Sequence, residues 1–225
     1  MLAPMFRAAA VTLALAATLS GCAGVGQPAP YDSPGINGLV IPTPSADPAD
    51  FVDTVDNPWF PLEPGTAHHF TLTSDEQAIG SMDTEVGDAT TEIAGLVATV
   101  LTTSTTIDDD TVTVTGYYAQ DRAGNVWLLG LETGTASWRA GVDGAEAGLA
   151  MPADPRLGDG WVSFAVPGAT EGRATIEDQS ADLVQLRTYE ADDEADTEAR
   201  NVYEKGVGLV GVESLAGGWT ARLTD

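Results

Sequence analysis

The sequence predicts a mainly β protein: a single antiparallel open barrel or strongly curved sheet, with a long Gly/Pro-rich capping loop. Three features point there. Beyond Asn57 the apolar residues recur mostly with period two, as one buried sheet face requires. No segment in that region sustains an apolar stripe at helical spacing over three turns. Turn-forming Gly, Pro, Asn and Asp residues separate the segments at short intervals, the pattern of an antiparallel barrel or curved sheet.

Taken in order, residues 67–73 alternate around Phe70 and Leu72, and residues 92–103 form a β-branched run through Ile93, Val97, Val100 and Leu101. In residues 110–120, Val112, Val114 and Tyr118 fall on one register. Residues 124–132 carry Val126, Trp127, Leu128, Leu129 and Leu131. The intervening Asp121-Arg122-Ala123-Gly124-Asn125 reads as a hairpin turn in which Gly124 supplies a positive φ. Residues 134–160, with Gly141, Gly144, Gly148, Pro152, Pro155 and Gly158, form the capping loop. An irregular stretch that long in a compact domain is usually functional or packed as an ordered cap. Further strands are expected at 160–166, 174–178, 182–189, 201–212 and 219–223, with Ala216-Gly217-Gly218 turning the last hairpin.

The chain divides into three parts: residues 1–21 as a signal peptide, 22–56 as a lipidated cysteine with a Pro-rich tether, and 57–225 as the β domain. Arg7 precedes an uncharged run from Ala8 to Leu19, which at about a dozen residues is too short to cross a bilayer. Leu19-Ser20-Gly21-Cys22 follows. Small residues before a cysteine suit a signal peptidase, and the thiol freed at the new terminus can take a diacylglyceryl group. Cys22 is the only cysteine, so no disulfide forms within the chain. Acyl chains anchor through about 0.8 kcal/mol per buried methylene. The expected location is therefore the outer face of the cytoplasmic membrane, with the membrane a partner through Cys22. Pro28, Pro30, Pro34, Pro42, Pro44 and Pro48 mark the tether, which buries too little apolar surface to offset its ordering entropy.

Charge narrows the partners. There are 34 acidic residues against 9 basic ones, a net charge of −25, and Lys205 is the only lysine. Such a surface repels nucleic acid and anionic headgroups and attracts cations or a basic protein. Compositional drift in a GC-rich genome, or a salty habitat, accounts for the same bias.

Asn57-Pro58-Trp59-Phe60-Pro61-Leu62-Glu63-Pro64-Gly65-Thr66 resembles the opening of a family of bacterial secreted and lipid-anchored proteins of unestablished function. Three further stretches match its pattern in order. They are Tyr118-Ala119-Gln120-Asp121 through Gly124-Asn125-Val126-Trp127, Ser137-Trp138-Arg139-Ala140-Gly141-Val142-Asp143-Gly144-Ala145 through Met151-Pro152-Ala153, and Gly206-Val207-Gly208-Leu209-Val210. The resemblance implies a mainly antiparallel β fold and brings no catalytic residues. This chain departs from the family at His68 and His69, where an aromatic or basic residue is common. It departs again at Gly168-Ala169-Thr170-Glu171-Gly172, which lacks a second acid.

Little in the residues points to catalysis. His68 and His69, the only histidines, are adjacent on a strand and so face opposite ways. No Gly-x-Ser-x-Gly nucleophile elbow is present. Asp121 with Asn125 and Glu132, or Asp143 with Glu146, are hard-oxygen sets of the calcium type. Turn residues of these kinds more often bond their own backbone. No metal or cofactor is expected. The aromatics Trp59, Phe60, Tyr117, Tyr118, Trp127, Trp138, Trp161 and Tyr203 read either as core or as a cavity lining.

The expectation is a non-enzymatic envelope protein binding a small apolar or amphiphilic ligand, with Tyr118, Trp127, Trp138 and Met151 lining the cavity. The alternative is an acidic interaction module that recruits a basic cell-wall partner. Replacing Cys22 by Ser is expected to move the protein from the membrane fraction to the soluble extracytoplasmic fraction. Mass spectrometry of both fractions, before and after the change, checks this.

Overall fold

The computed structural model describes residues 47–169, 171–191 and 197–224. The signal peptide, Cys22 and the tether as far as residue 46 lie outside the described residues, as does the middle of the acidic run 190–198. A 3₁₀ turn (Pro48–Asp50) opens the described chain. It is followed by β1 (Phe51–Val52), β2 (Ala67–Ser74), β3 (Gln77–Val86), β4 (Thr91–Ile93) and β5 (Leu96–Ile107). Next come β6 (Asp110–Asp121), β7 (Val126–Thr133), β8 (Ser137–Arg139), β9 (Gly148–Met151) and β10 (Gly160–Ala165). The last are β11 (Glu171–Gln179), β12 (Leu183–Glu190), β13 (Ala199–Glu204), β14 (Gly208–Ser214) and β15 (Trp219–Leu223).

All fifteen strands join one antiparallel sheet in the order β10-β11-β12-β13-β14-β15-β2-β3-β5-β6-β7-β8, with β1 beside β6, β4 beside β5 and β9 beside β7. The sheet is mainly β as expected, curved, and not closed into a barrel by its ladder. Bulges between Val162 and Phe164, Ile176 and Asp178, Val202 and Tyr203, and Tyr117 and Tyr118 help it curl. Its inner face carries the core. Phe70, Leu72, Leu129, Met151, Val126 and Val184 are fully buried there. Burying each such side chain contributes about 1.5–3 kcal/mol.

One strand is added to those expected, and three expectations are corrected. Residues 77–86, which carry no strong period-two signal, form β3. Its hairpin turn places Asp75 and Glu76 at φ 49° and 63°, a mirror-image turn built without the usual glycine. Gly80 is required because a Cβ there would lie 1.9 Å from the Thr106 carbonyl oxygen on β5. The single strand expected at 201–212 is a hairpin, β13 and β14, because the chain reverses where Gly206 and Gly208 take φ 83° and 98°. The 134–160 stretch contains β8 and β9, so part of the cap belongs to the sheet. Residues 47–56, assigned to the tether, are ordered onto the domain: Phe51 and Val52 pair with Asp121 and Gln120, and Val55 is buried. Pairing with β6, the packing of Phe51 on the core and the burial of Val55 hold the span.

The segment from Val55 to Leu62 crosses one end of the sheet and plugs it. Leu62 N–H donates to the Val55 carbonyl (2.9 Å) and closes the segment on itself. Asn57 is buried, and its side chain makes four hydrogen bonds. Its Oδ1 accepts from the backbone N–H of Trp59 (2.8 Å) and Phe60 (3.2 Å), and its Nδ2 donates to the carbonyls of Gly124 (2.8 Å) and Pro152 (3.1 Å). Gln120 Oε1 accepts from the N–H groups of Asp56 and Asn57, and its Nε2 donates to Asp56 Oδ1. On the far side Gly206 N–H donates to the Pro58 carbonyl. Phe60 packs its ring 5.1 Å from that of Tyr118 and 5.8 Å from that of Tyr203.

Two outcomes follow from this plug. Asn57→Ala is expected to destabilise the domain by about 2–4 kcal/mol, because it orphans several buried partners at once; urea denaturation reads the loss. Burial pushes the Tyr118 hydroxyl from 10.0 up to about 12, and burial reinforced by Tyr118 pushes Tyr203 higher still. An unfolded chain releases these protons first. The stability they contribute is complete below pH 10.0 and declines as pH climbs towards about 12. Denaturation midpoints across that window, compared with Tyr118→Phe, check the sign.

Candidate functional site

The two ends of the sheet meet at a seam. On one side is β10, hydrogen-bonded only to β11; on the other is β9, hydrogen-bonded only to β7. Across the seam the backbones are hydrogen-bonded at one bridge, just ahead of β9, where Glu146 N–H donates to the Ala165 carbonyl (2.9 Å). Side chains complete the closure. Trp161 Nε1 donates to the Leu149 carbonyl (2.7 Å), and the rings of Trp138 and Phe164 stand 5.9 Å apart. Gly148 passes so close to β10 that a Cβ there would be 2.0 Å from the Ser163 carbonyl oxygen. Only glycine allows that approach.

A groove of about 440 Å³ opens along this seam. That lies within the range of about 300–1,000 Å³ usual for small-ligand sites. Its depth is apolar, with Trp127 and Trp161, Leu149, Ala147 and Ala174. Its rim is polar: Glu146, Glu171, Arg173, Thr175 and Tyr189. The register explains the division. Trp161 faces Ala174 across β10 and β11, on the inner face, while Val162 faces Arg173 and Ala165 faces Glu171 on the outer face. Both indoles are held rigidly, because Trp127 Nε1 donates to Asp121 Oδ2 (2.9 Å) and Trp161 is fixed as described. Arg173 pairs with Glu171 through its Nη2.

Of the four residues expected to line a cavity, Trp127 alone borders this groove. Met151 is fully buried in the core, Tyr118 packs on Phe60 in the plug, and Trp138 packs on Phe164. The four are not brought into one cavity. The calcium-type set of Asp121, Asn125 and Glu132 is engaged otherwise. Asp121 Oδ1 accepts from the N–H groups of Ala123 and Asn125, and its Oδ2 accepts from Asn125 Nδ2, which is turn chemistry. Glu132 accepts from Arg139 (3.0 Å) and from Tyr117 (3.2 Å). Burial raises the Tyr117 pKa, the Arg139 guanidinium 3.8 Å from its ring centre opposes that, and Glu132 adds to the rise. His69 bonds Asp83 (2.6 Å) on the outer face, and neither histidine lines the groove. Among the described residues, no three His, Cys, Asp or Glu side chains gather as a metal-binding group.

Arg173, Thr175 and Tyr189 escape a reading of the sequence because nothing in a strand's own pattern says which other edge it will meet. Trp161 offers a signal, an aromatic flanked by glycine at the end of the capping stretch, but not its partner. No family model, no curated protein and no solved structure matches this chain.

Proposed function

We propose that this chain is a lipid-anchored, extracytoplasmic, non-enzymatic protein that binds a small amphiphilic ligand in the seam groove. The observation carrying the ligand reading is the division of that groove into an indole-lined apolar depth and a charged rim. An amphiphile buries its hydrocarbon against the first and keeps its headgroup hydrated at the second. Burial of apolar area at roughly 25 cal/mol per Å² supplies the affinity, and the rim sets orientation. The anchoring half of the proposal rests on Ser20-Gly21-Cys22 behind an uncharged run, and on Cys22 being the only cysteine. Among the described residues no helix is long and apolar enough to cross a membrane.

The test is native mass spectrometry of the exported chain carrying Cys22→Ser. An adduct of lipid or small-molecule mass is expected, and Thr175→Trp is expected to abolish it. The new indole fills the groove from the outer sheet face, where aromatic residues are well tolerated. Circular dichroism confirms the retained sheet. A clean apo mass together with salt-sensitive capture of a basic envelope protein would overturn the reading in favour of an acidic recruitment module.

A further inference from the structure

We infer that the apolar depth of the groove is shut in this structure, that a ligand reaches it only when β9 and β10 part, and that Trp161 is the latch between them. The inference deepens the ligand reading above and rests on it. Trp127, Leu149 and Trp161 line the groove, yet they are only 3%, 3% and 5% exposed. Ala174, which faces Trp161 across β10 and β11, is buried with them. A hydrocarbon chain laid in the groove as it stands meets Val162, Ala165 and the polar rim, and little of either indole. The contacts that close the seam are therefore the contacts that keep a ligand from the surface most able to hold it.

Those contacts are few. Among the described residues the backbones across the seam share one hydrogen bond, from Glu146 N–H to the Ala165 carbonyl. The Trp161 indole adds one more, to the Leu149 carbonyl, and the Trp138 and Phe164 rings meet beside it. Every other backbone bond holds each lip to its own side. β10 is laddered to β11 from Gly160 to Ala165, and β9 to β7 through Val126, Trp127 and Leu128. Parting the seam breaks neither ladder, so it opens far more readily than the strands around it, as regions held by few buried bonds do.

The outer lip is also built to bend. Its two strands carry register slips, between Val162 and Phe164 on β10 and between Ile176 and Asp178 on β11. Bulges bend a strand pair without undoing its ladder. Gly148 marks how tightly the lips are shut, since a Cβ there would stand 2.0 Å from the Ser163 carbonyl oxygen. A methyl group at that position is a wedge, and it would hold β9 and β10 apart.

A disulfide staple across the seam tests this. Directly paired residues of antiparallel strands stand about 5.5 Å apart at Cα, within disulfide reach. Glu146→Cys with Ala165→Cys is therefore made in the Cys22→Ser chain, and stopped-flow fluorescence follows binding of the neutral apolar probe N-phenyl-1-naphthylamine. The oxidised staple is expected to bind roughly tenfold or more slowly than the same protein reduced, because it removes the competent state. Trp161→Phe keeps a ring but loses the donor, and should quicken association by about three- to tenfold. Gly148→Ala should quicken it as well. Equal rates in the oxidised and reduced forms, or no acceleration in either variant, overturn the latch while the groove remains a ligand site. Absence of probe binding by the reduced chain and by both variants overturns the ligand reading and the latch with it. Hydrogen exchange of the probe-free chain reads the opening directly. The Trp161 indole N–H should exchange faster than the β2 amides and slow when the staple is oxidised; exchange as slow as β2 in the reduced chain overturns the latch on its own.

Discussion

The buried side-chain amide of Asn57 is the interaction on which most of this structure depends. A buried amide without partners costs several kcal/mol, whereas one with all its bonds made holds its neighbours in a single arrangement. Here the partners come from three places far apart in sequence: the plug itself, the β6–β7 turn through Gly124, and the exit from β9 through Pro152. Asn125 extends the network by accepting from Ala153 N–H (2.9 Å), and Asp121 links it to the Trp127 indole (2.9 Å). Gln120 joins the same network from β6. Fixing Pro152 and Ala153 fixes where β9 ends, and β9 is one wall of the seam. The location of the groove is therefore a consequence of hydrogen bonds made at the other side of the plug.

The seam itself is a compromise between closure and access. A complete ladder would remove the exposed edges, which are a liability in any sheet. This chain instead seals the gap with one backbone bridge, one indole-to-carbonyl bond and a pair of rings. Those contacts leave the groove open, whereas a full ladder would fill it. Gly148 sets the limit of approach, since any side chain there would drive β9 away from Ser163.

Charge is organised as well as abundant. Arg173, Arg187, Arg200 and Arg222 stand on the outer face of β11, β12, β13 and β15. Arg187 pairs with Glu198, and Arg200 pairs with Glu177 (2.9 Å) and Glu213 (3.2 Å), linking three strands into a cross-strand ladder. Each exposed pair contributes at most about 1 kcal/mol, and the network more through its shared geometry. With half the domain's cations drawn into or beside this ladder, the acidic remainder of the surface is left to set the molecule's field.

The sequence by itself determined the fold class, because period-two patterning and turn residues are local properties, each readable without knowing what lies opposite. Gly124 illustrates this: a hairpin needs a positive φ there, and it takes 93°. Asn57, Gln120, Asp121, Asn125 and Trp127 could be read one by one as turn, polar or aromatic residues, although not as one hydrogen-bonded network. Where local signals were weak, the reading slipped, as at Asp75 and Glu76, which turn without glycine. Only the tertiary structure decided which aromatics meet. Tyr118, Trp127, Trp138 and Met151 resemble one another in sequence but serve the plug, the groove, the seam and the core respectively. The groove was legible only in part: Trp127 and the 134–160 stretch border it, but Arg173, Thr175 and Tyr189 reach it only because the sheet curves until β10–β12 lie beside β7 and β9. That curvature sums the twist and bulges of many strands, and no single strand encodes it.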